Sequence, residues 1–253
     1  MEKHLRRQLV FVHIPKTAGL SLHAALENIY GKESTLRIGN DDDLKQLRQM
    51  PEDQVIDKAF LSGHFFYRDI KNRCQPDAVL ISILRDPIRR ILSNYNYITN
   101  WDKHPLYEQT IRQSFSEHVN ANRNFFRGLC CRQLSDVPKA DAAIEVIKSR
   151  YALVGTSNHL PAFVDALGRV VGQRIVQERT NVSLGQGPNI DLSSDLCQSL
   201  LEITEEDRKL FNYLNALPNG LFERSPPVAA SAPESSPGPE AGPAPEAGSA
   251  PAV

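Results

Sequence analysis

Residues 9–21 read LVFVHIPKTAGLS and carry the clearest indication of the fold of this chain. Its first six residues form a short apolar run that ends at Pro15, a pattern typical of a strand buried on both faces of a parallel sheet. Apolar residues then recur at helical spacing across 20–30, and Gly31 follows where a C-terminal helix cap is expected. The stretch therefore predicts a strand, a loop and a helix in succession.

A second unit of the same kind occupies residues 79–98. Its segment VLISIL has the pattern of a buried strand, Asp86 can cap a helix through its carboxylate, and Pro87 stands at the first helical position. The apolar face of the predicted helix consists of Ile88, Ile91, Leu92 and Tyr95.

Strands and helices alternate along the rest of the chain. Further strands are predicted at 58–63, 151–155 and 173–178, and further helices at 41–57, 105–121, 139–150, 160–171 and 204–217. Thr204 and Asp207 resemble a capping box for the last helix. This alternation predicts an α/β fold whose mostly parallel central sheet is covered by helices on both faces.

The C-terminal stretch 225–253 differs in composition from everything before it. It contains eight of the 17 prolines, three glutamates, and no aromatic or basic residue. Such a segment has too little apolar surface to offset the entropy of ordering. We therefore predict a single folded domain over 1–224 and a disordered tail rich in Pro, Ala and Glu over 225–253.

Charge, cysteines and hydropathy restrict the class of protein. The tail holds three of the 30 acidic residues, so segment 1–224 carries 29 basic and 27 acidic side chains, which argues against a nucleic-acid-coating protein. None of the four cysteines shows CxxC spacing, and we find no signal peptide or membrane-span pattern. A cytoplasmic protein without a membrane span is predicted.

The loop HIPKTAGLS, residues 13–21, has the setting of a phosphate site. A loop between a buried strand and a helix gathers backbone N–H groups at the positive end of the helix. The candidate phosphate-binding residues are Lys16, Thr17, Ala18, Gly19, Leu20 and Ser21. The Walker pattern is absent, because no glycine lies in the five residues before Lys16, and this disfavours an ordinary ATPase or kinase.

HIPKTAGLS resembles the 5'-phosphosulfate loop of sulfotransferases that use 3'-phosphoadenosine 5'-phosphosulfate (PAPS), particularly the carbohydrate group that includes heparan sulfate 2-O-sulfotransferase. LRDPIRRILSNYNY, residues 84–97, is similar to the 3'-phosphate motif of that family, which assigns phosphate binding to Arg85 and Ser93. An arginine offers phosphate a planar fork of donors. The resemblance implies a P-loop NTPase-like, three-layer fold.

Weaker likeness covers 151–167 and the segment ERTNVS at 178–183. In ERTNVS, Arg179, Asn181 and Ser183 are candidates for contact with the nucleotide, although Asn-Val-Ser is equally consistent with an ordinary turn.

His64, in SGHFFY, resembles the Gly-His of carbohydrate sulfotransferases whose histidine is assigned as general base. An imidazole can take the proton of an attacking hydroxyl near neutral pH. The alternative is a strand-end histidine bonded to a backbone carbonyl. His13 is predicted to pack in the core or beneath the loop, and the other histidines have no neighbouring pattern that indicates a role. Six aromatic residues either line an acceptor pocket or belong to the core: Phe65, Phe66, Tyr67, Tyr95, Tyr97 and Trp101.

The resemblance implies in-line transfer of the sulfuryl group of PAPS to an acceptor hydroxyl, with a sugar or glycan favoured, PAP released, and no metal required. Lys16 stabilises the charge that develops on the leaving group, and His64 is the base. Two other classes stay open: a magnesium-dependent phosphotransferase with an atypical loop, and a non-catalytic nucleotide-binding module.

Overall fold

The computed structural model describes residues 7–176 and 194–224, and a single six-stranded sheet organises them. The strands are β1 (Leu9–Val12), β2 (Thr35–Ile38), β3 (Phe60–Gly63), β4 (Val79–Leu84), β5 (Tyr151–Thr156) and β6 (Leu221–Glu223). Their order is β2-β3-β1-β4-β5-β6, and every pair is parallel except β5 with β6. The predicted α/β fold with a mostly parallel central sheet is confirmed.

Helices cover both faces of this sheet. They are α1 (Gly19–Tyr30), α2 (Asp41–Gln49), α3 (Glu52–Ile56), α4 (Tyr67–Ile70), α5 (Pro87–Thr99), α6 (Tyr107–Thr110), α7 (Phe115–Ala121), α8 (Arg123–Phe126), α9 (Leu129–Ser135), α10 (Ala140–Arg150), α11 (Leu160–Val171), α12 (Ser194–Ile203) and α13 (Glu205–Asn215). Along β1, Leu9 and Phe11 join the core beneath α1 and α11, while Val10 and Val12 join the core beneath α9, α10 and α13. Both faces of β1 are buried, which is why its sequence is continuously apolar. With helices on each side of the sheet, the fold has three layers: helices, sheet and helices.

The two strand–loop–helix units are present as predicted, except that β1 ends at Val12, two residues before the end of the predicted strand. β4 spans the predicted residues, and α1 and α5 begin and end within one residue of the predicted helices. The Asp86 carboxylate accepts a hydrogen bond of 2.8 Å from the backbone N–H of Arg89, as expected of a cap. Gly31 ends α1 with a φ of 86°, which favours glycine.

Several predicted boundaries are wrong. β2 was not predicted, because it is a half-buried edge strand of four residues with no apolar run. The predicted helix at 41–57 is divided at Pro51 into α2 and α3, and the one at 105–121 consists of α6 and α7. No strand is present over 173–176, the described part of the predicted strand 173–178.

The predicted capping box of the last helix is also wrong. The Thr204 hydroxyl donates to the backbone carbonyl of Leu200 at 2.6 Å, so it serves the end of α12. The Asp207 carboxylate accepts from the backbone N–H groups of Cys130 and Cys131, at 3.2 and 3.0 Å. Asp207 therefore caps α9, a distant helix, through tertiary contact.

Some predictions concern residues outside the described ranges. The tail 225–253 and the candidates Arg179, Asn181 and Ser183 all lie there. Within residues 7–176 and 194–224, no helix has the length and apolar character needed to cross a bilayer. In the same ranges no group of three or more His, Cys, Asp or Glu side chains is arranged to hold a metal ion.

Candidate functional site

The site lies where the two strand–loop–helix units meet. β1 and β4 are adjacent parallel strands, with Leu9 opposite Val79 and Phe11 opposite Ile81. From β1 the chain continues toward one edge of the sheet, to β2, and from β4 it continues toward the opposite edge, to β5. This is a topological switch point, where α/β proteins bind ligands at the carboxyl ends of the strands. The N-termini of α1 and α5 flank the same crevice.

The loop after β1 has an unusual backbone. Lys16 and Ala18 both have positive φ, 71° and 68°, although neither is glycine. Each such residue costs on the order of 1–2 kcal/mol. The Thr17 hydroxyl, fully buried, donates to the carbonyl of Ile14 at 2.8 Å and holds the turn. Backbone strain that is held by its surroundings is characteristic of functional sites.

Gly19 permits close packing between this loop and the strand below it. A Cβ atom at Gly19 would lie 2.1 Å from Cδ2 and Nε2 of the His13 ring. His13 itself is buried beneath the loop, stacked on Phe11. Burial, and next the nearby His64, lower the pKa of His13 well below 6.5, so its ring packs there uncharged.

Lys16 and Arg85 place two cations in the crevice. Arg85 Nη1 donates to the backbone carbonyl of Lys16 at 3.3 Å. Burial, followed by the charge of Arg85, lowers the pKa of Lys16 to about 8. Burial and then the charge of Arg89 lower the pKa of Arg85. Among the described residues neither cation forms an ion pair with a carboxylate, so the pair is suited to an anion.

The remaining predicted phosphate residues lie on the two flanking helices. Leu20 is exposed and Ser21 half-buried in the first turn of α1, the end of a helix at which an anion is stabilised. Ser93 is half-buried in the middle of α5, two turns beyond Arg85.

His64 follows β3 and is held by two hydrogen bonds. Its backbone N–H donates to the carbonyl of Ile38 at 3.0 Å, and its Nδ1 lies 2.9 Å from the carbonyl of His13. A carbonyl only accepts, so Nδ1 carries the proton and Nε2 of the neutral ring is left as an acceptor. The bond between Nδ1 and the backbone carbonyl is therefore compatible with a role of His64 as a base, since Nε2 stays able to accept a proton.

The charge state of His64 suits a base. Burial lowers its pKa, the bond to the His13 carbonyl opposes this, and the charges of Arg37 and Lys16 lower it further. Gly63 is required beside it, because a Cβ there would lie 2.2 Å from the carbonyl oxygen of Ile38. The ring is therefore neutral at pH 7 and fixed in one orientation.

An aromatic cluster of Tyr97, Trp101 and His104 lies beside Lys16. The Lys16 ammonium is 3.7 Å from the centroid of the Tyr97 ring, a cation–π contact. The three rings contact one another with centroid separations of 5.4, 5.6 and 5.5 Å. Sequence reasoning missed His104, because its place depends on the turn after α5; the i, i+4 spacing of Tyr97 and Trp101 was the available signal.

The other nearby aromatic residues have structural roles or lie apart. Phe65 and Tyr95 are buried in the core, and the Tyr95 hydroxyl donates to the carbonyl of Gln113 at 2.8 Å. Phe66 and Tyr67 are half-buried at the start of α4. Of the aromatic residues proposed for an acceptor pocket, only Tyr97 and Trp101 are thus large exposed side chains.

Comparison with known proteins gives a family match over the first part of the chain. A family model described as the sulfotransferase family matches residues 4–140, which include Lys16, His64, Arg85 and Ser93. A search of curated proteins found no match.

Among solved structures, a crystal structure of mouse sulfotransferase SULT7A1 complexed with PAP is similar, with 14% sequence identity and a TM-score of 0.41. The match covers 81% of this chain and 66% of the mouse protein, so this chain spans less than two thirds of that length.

Proposed function

This chain belongs to the sulfotransferase family, and from that premise we propose that it transfers the sulfuryl group of PAPS to an acceptor hydroxyl and releases PAP. The observation that carries the proposal is the pairing of Lys16 with Arg85 at the switch point of the sheet. The two loops of the resemblance meet there, and neither cation has a carboxylate partner among the described residues. An anionic nucleotide supplies the missing counter-charge.

We assign the two ends of the donor to the two loops. Lys16 and the N–H groups at the start of α1 bind the 5'-phosphosulfate, since a helix N-terminus favours an anion. Arg85 and Ser93 bind the 3'-phosphate. The buried Thr17 hydroxyl is already committed to Ile14, so its contribution is to hold the loop in shape.

His64 and Lys16 act on opposite sides of sulfur. The acceptor oxygen forms a new bond to sulfur while its proton passes to Nε2 of His64. The bond from sulfur to the bridging oxygen breaks, and its electron pair stays on that oxygen of PAP. The Lys16 ammonium stabilises the charge that develops there. The likeness to carbohydrate sulfotransferases favours a sugar or glycan as acceptor.

Titration calorimetry with PAP tests the donor assignment. We expect PAP to bind without added ATP or magnesium, and labelled PAPS to yield a labelled product with carbohydrate acceptors. ATP with magnesium serves as the competing donor. Failure to bind PAP, or preferential binding and turnover of ATP with magnesium, would contradict the proposal.

Replacing Arg85 by Ala should weaken PAP binding by about 2–3 kcal/mol, because a charge-assisted bond to the 3'-phosphate is lost. Adenosine 5'-phosphosulfate lacks that phosphate, so its affinity should hardly change. Calorimetry with both ligands measures the difference. Arg169→Ala is the control, since Arg169 is an exposed arginine near the end of α11, paired with Glu223. Equal losses for the two ligands would mean that Arg85 acts through folding.

PAP affinity should fall above about pH 8, the pKa of Lys16 in the donor-free protein. A bound phosphate raises that pKa, because the ammonium then faces an anion. Below about pH 8, Lys16 is protonated both in the donor-free protein and in the complex with PAP, so the affinity does not depend on pH there. Above it, binding takes up a proton and the dissociation constant rises by up to about tenfold per pH unit.

Calorimetry at alkaline pH in two buffers of different ionisation enthalpy measures the proton uptake directly. Lys16→Arg is the control, because guanidinium stays protonated throughout and should remove the slope. A pH-independent affinity in the wild type would place the Lys16 ammonium away from the phosphate.

A further inference from the structure

We propose that the aromatic cluster of Tyr97, Trp101 and His104 is the acceptor subsite, and that it binds the apolar face of a pyranose ring. This inference rests on the proposed sulfuryl transfer and names where the sugar docks. Tyr97 lies in the last turn of α5, four residues after Ser93, and Trp101 and His104 lie in the turn that follows this helix.

Two rings of the cluster are exposed and contact each other. Tyr97 is 40% exposed and Trp101 41% exposed, and they contact each other. The pair becomes a candidate surface for interaction because of what lies next to it. Here it directly adjoins the Lys16 ammonium, 3.7 Å from the Tyr97 ring.

The cluster lies at the sulfuryl end of the donor. Lys16 is assigned to the oxygen that bridges phosphorus and sulfur, whereas adenine is attached at the other end of the nucleotide, beyond the ribose. A surface in contact with Lys16 Nζ is therefore near the atom that the acceptor must attack. Burial lowers the pKa of both His64 and His104, and in each case the charge of Lys16 lowers it further, so both rings lie within electrostatic range of the Lys16 ammonium.

The chemistry of the cluster matches that of a sugar. The C–H groups on one face of a pyranose are polarised by the ring oxygens and pack against the negative face of an aromatic ring. His104 Nδ1 accepts a hydrogen bond of 3.1 Å from the backbone N–H of Leu106, so the proton of the neutral ring is on Nε2. That N–H can donate to a sugar hydroxyl at the edge of the stacked face.

Trp101 is the only tryptophan of the chain, so its fluorescence reports on the cluster directly. We would titrate the PAP-saturated protein with two probes, an unsulfated heparosan hexasaccharide and chitohexaose. At least one of them should change Trp101 emission, whereas PAP alone should leave it nearly unchanged.

Substitution tests the same subsite through turnover. With the responding sugar, Trp101→Ala should raise the acceptor KM about tenfold, and Trp101→Phe less, since aromatic stacking typically contributes ~1 kcal/mol or more. The affinity for PAP should be unchanged in both. Phe125→Ala is the control, because Phe125 is a 53% exposed aromatic residue on α8. Melting temperatures show whether each variant is folded.

The measurements distinguish failure of the proposed acceptor subsite from failure of the proposed function. Quenching of Trp101 by PAP alone, together with weaker PAP binding by Trp101→Ala, would make the cluster an adenine platform and overturn the inference. Unchanged sulfation kinetics in Trp101→Ala would overturn it as well, and so would the absence of any response to both sugars. Loss of PAP binding in the wild-type protein would instead contradict the proposed function.

Discussion

His64→Ala should lower kcat about 10²–10⁴-fold, the usual cost of removing a general base. PAP affinity should stay within a few-fold of wild type, because His64 is assigned to the acceptor side of sulfur. Calorimetry and initial rates with labelled PAPS measure the two quantities.

His64→Asn is the sharper variant. An asparagine amide can donate to the His13 carbonyl in place of imidazole Nδ1–H, which preserves the local structure, yet it cannot take a proton from the acceptor. If His64 is the base, His64→Asn is as inactive as His64→Ala. Retention of more than about a tenth of wild-type turnover, far above the usual general-base loss, would give His64 a structural role only.

The pH profile checks the same assignment independently. A base acts when unprotonated, so kcat/KM should rise with pH through the pKa of His64 and be level above it. Burial and the charges of Arg37 and Lys16 hold that pKa below 6.5, against the opposing effect of the His13 carbonyl. The rising limb should therefore lie on the acidic side of 6.5 in the wild type and be absent from His64→Asn.

Lys16→Met should lower kcat by about 10²–10³-fold, comparable to the loss of one donor to a developing oxyanion. Methionine keeps the unbranched side chain and removes the charge. Donor affinity should also fall, but by less, because the charge on the bridging oxygen is greatest in the transition state. Single-turnover rates at saturating PAPS isolate the chemical step.

The contrast with Arg85 makes this prediction specific. Arg85→Ala should act on donor binding, with kcat largely kept at saturating PAPS, whereas Lys16→Met should act on kcat. Lys16→Arg restores charge and should recover part of the rate. If Lys16→Met changes only the donor KM, Lys16 binds the ground state and another group stabilises the leaving oxygen.

The local sequence was sufficient to predict an element wherever the residues that stabilise it are neighbours along the chain. Both faces of β1 and β4 are buried, so β1 is apolar along its length and β4 is apolar except at Ser82, and the pattern is visible in a few residues. The caps at Asp86 and Gly31 likewise depend on neighbours in sequence. For the same reason the helices α1 and α5 could be predicted to within one residue at each end.

Contacts between distant segments could not be predicted in this way. Asp207 lies in a pattern that resembles the cap of its own helix. Its carboxylate instead accepts from the backbone N–H of Cys131 at the N-terminus of α9, and the two residues are 76 positions apart in sequence. The edge strand β2 has no apolar signal of its own and forms by pairing with β3. In each case the partner that stabilises the arrangement is absent from the local sequence.

Short patterns along the chain were enough to predict the α/β class and the two strand–loop–helix units, and to propose Lys16, His64, Arg85 and Ser93 as candidates. The surroundings of these side chains follow from the tertiary structure alone. The His13 carbonyl selects the His64 tautomer, burial and then the charge of Arg85 lower the pKa of Lys16, and the turn after α5 brings His104 to Trp101. Tautomer, pKa and clustering depend on distances and burial, which exist only after segments far apart in sequence have packed together.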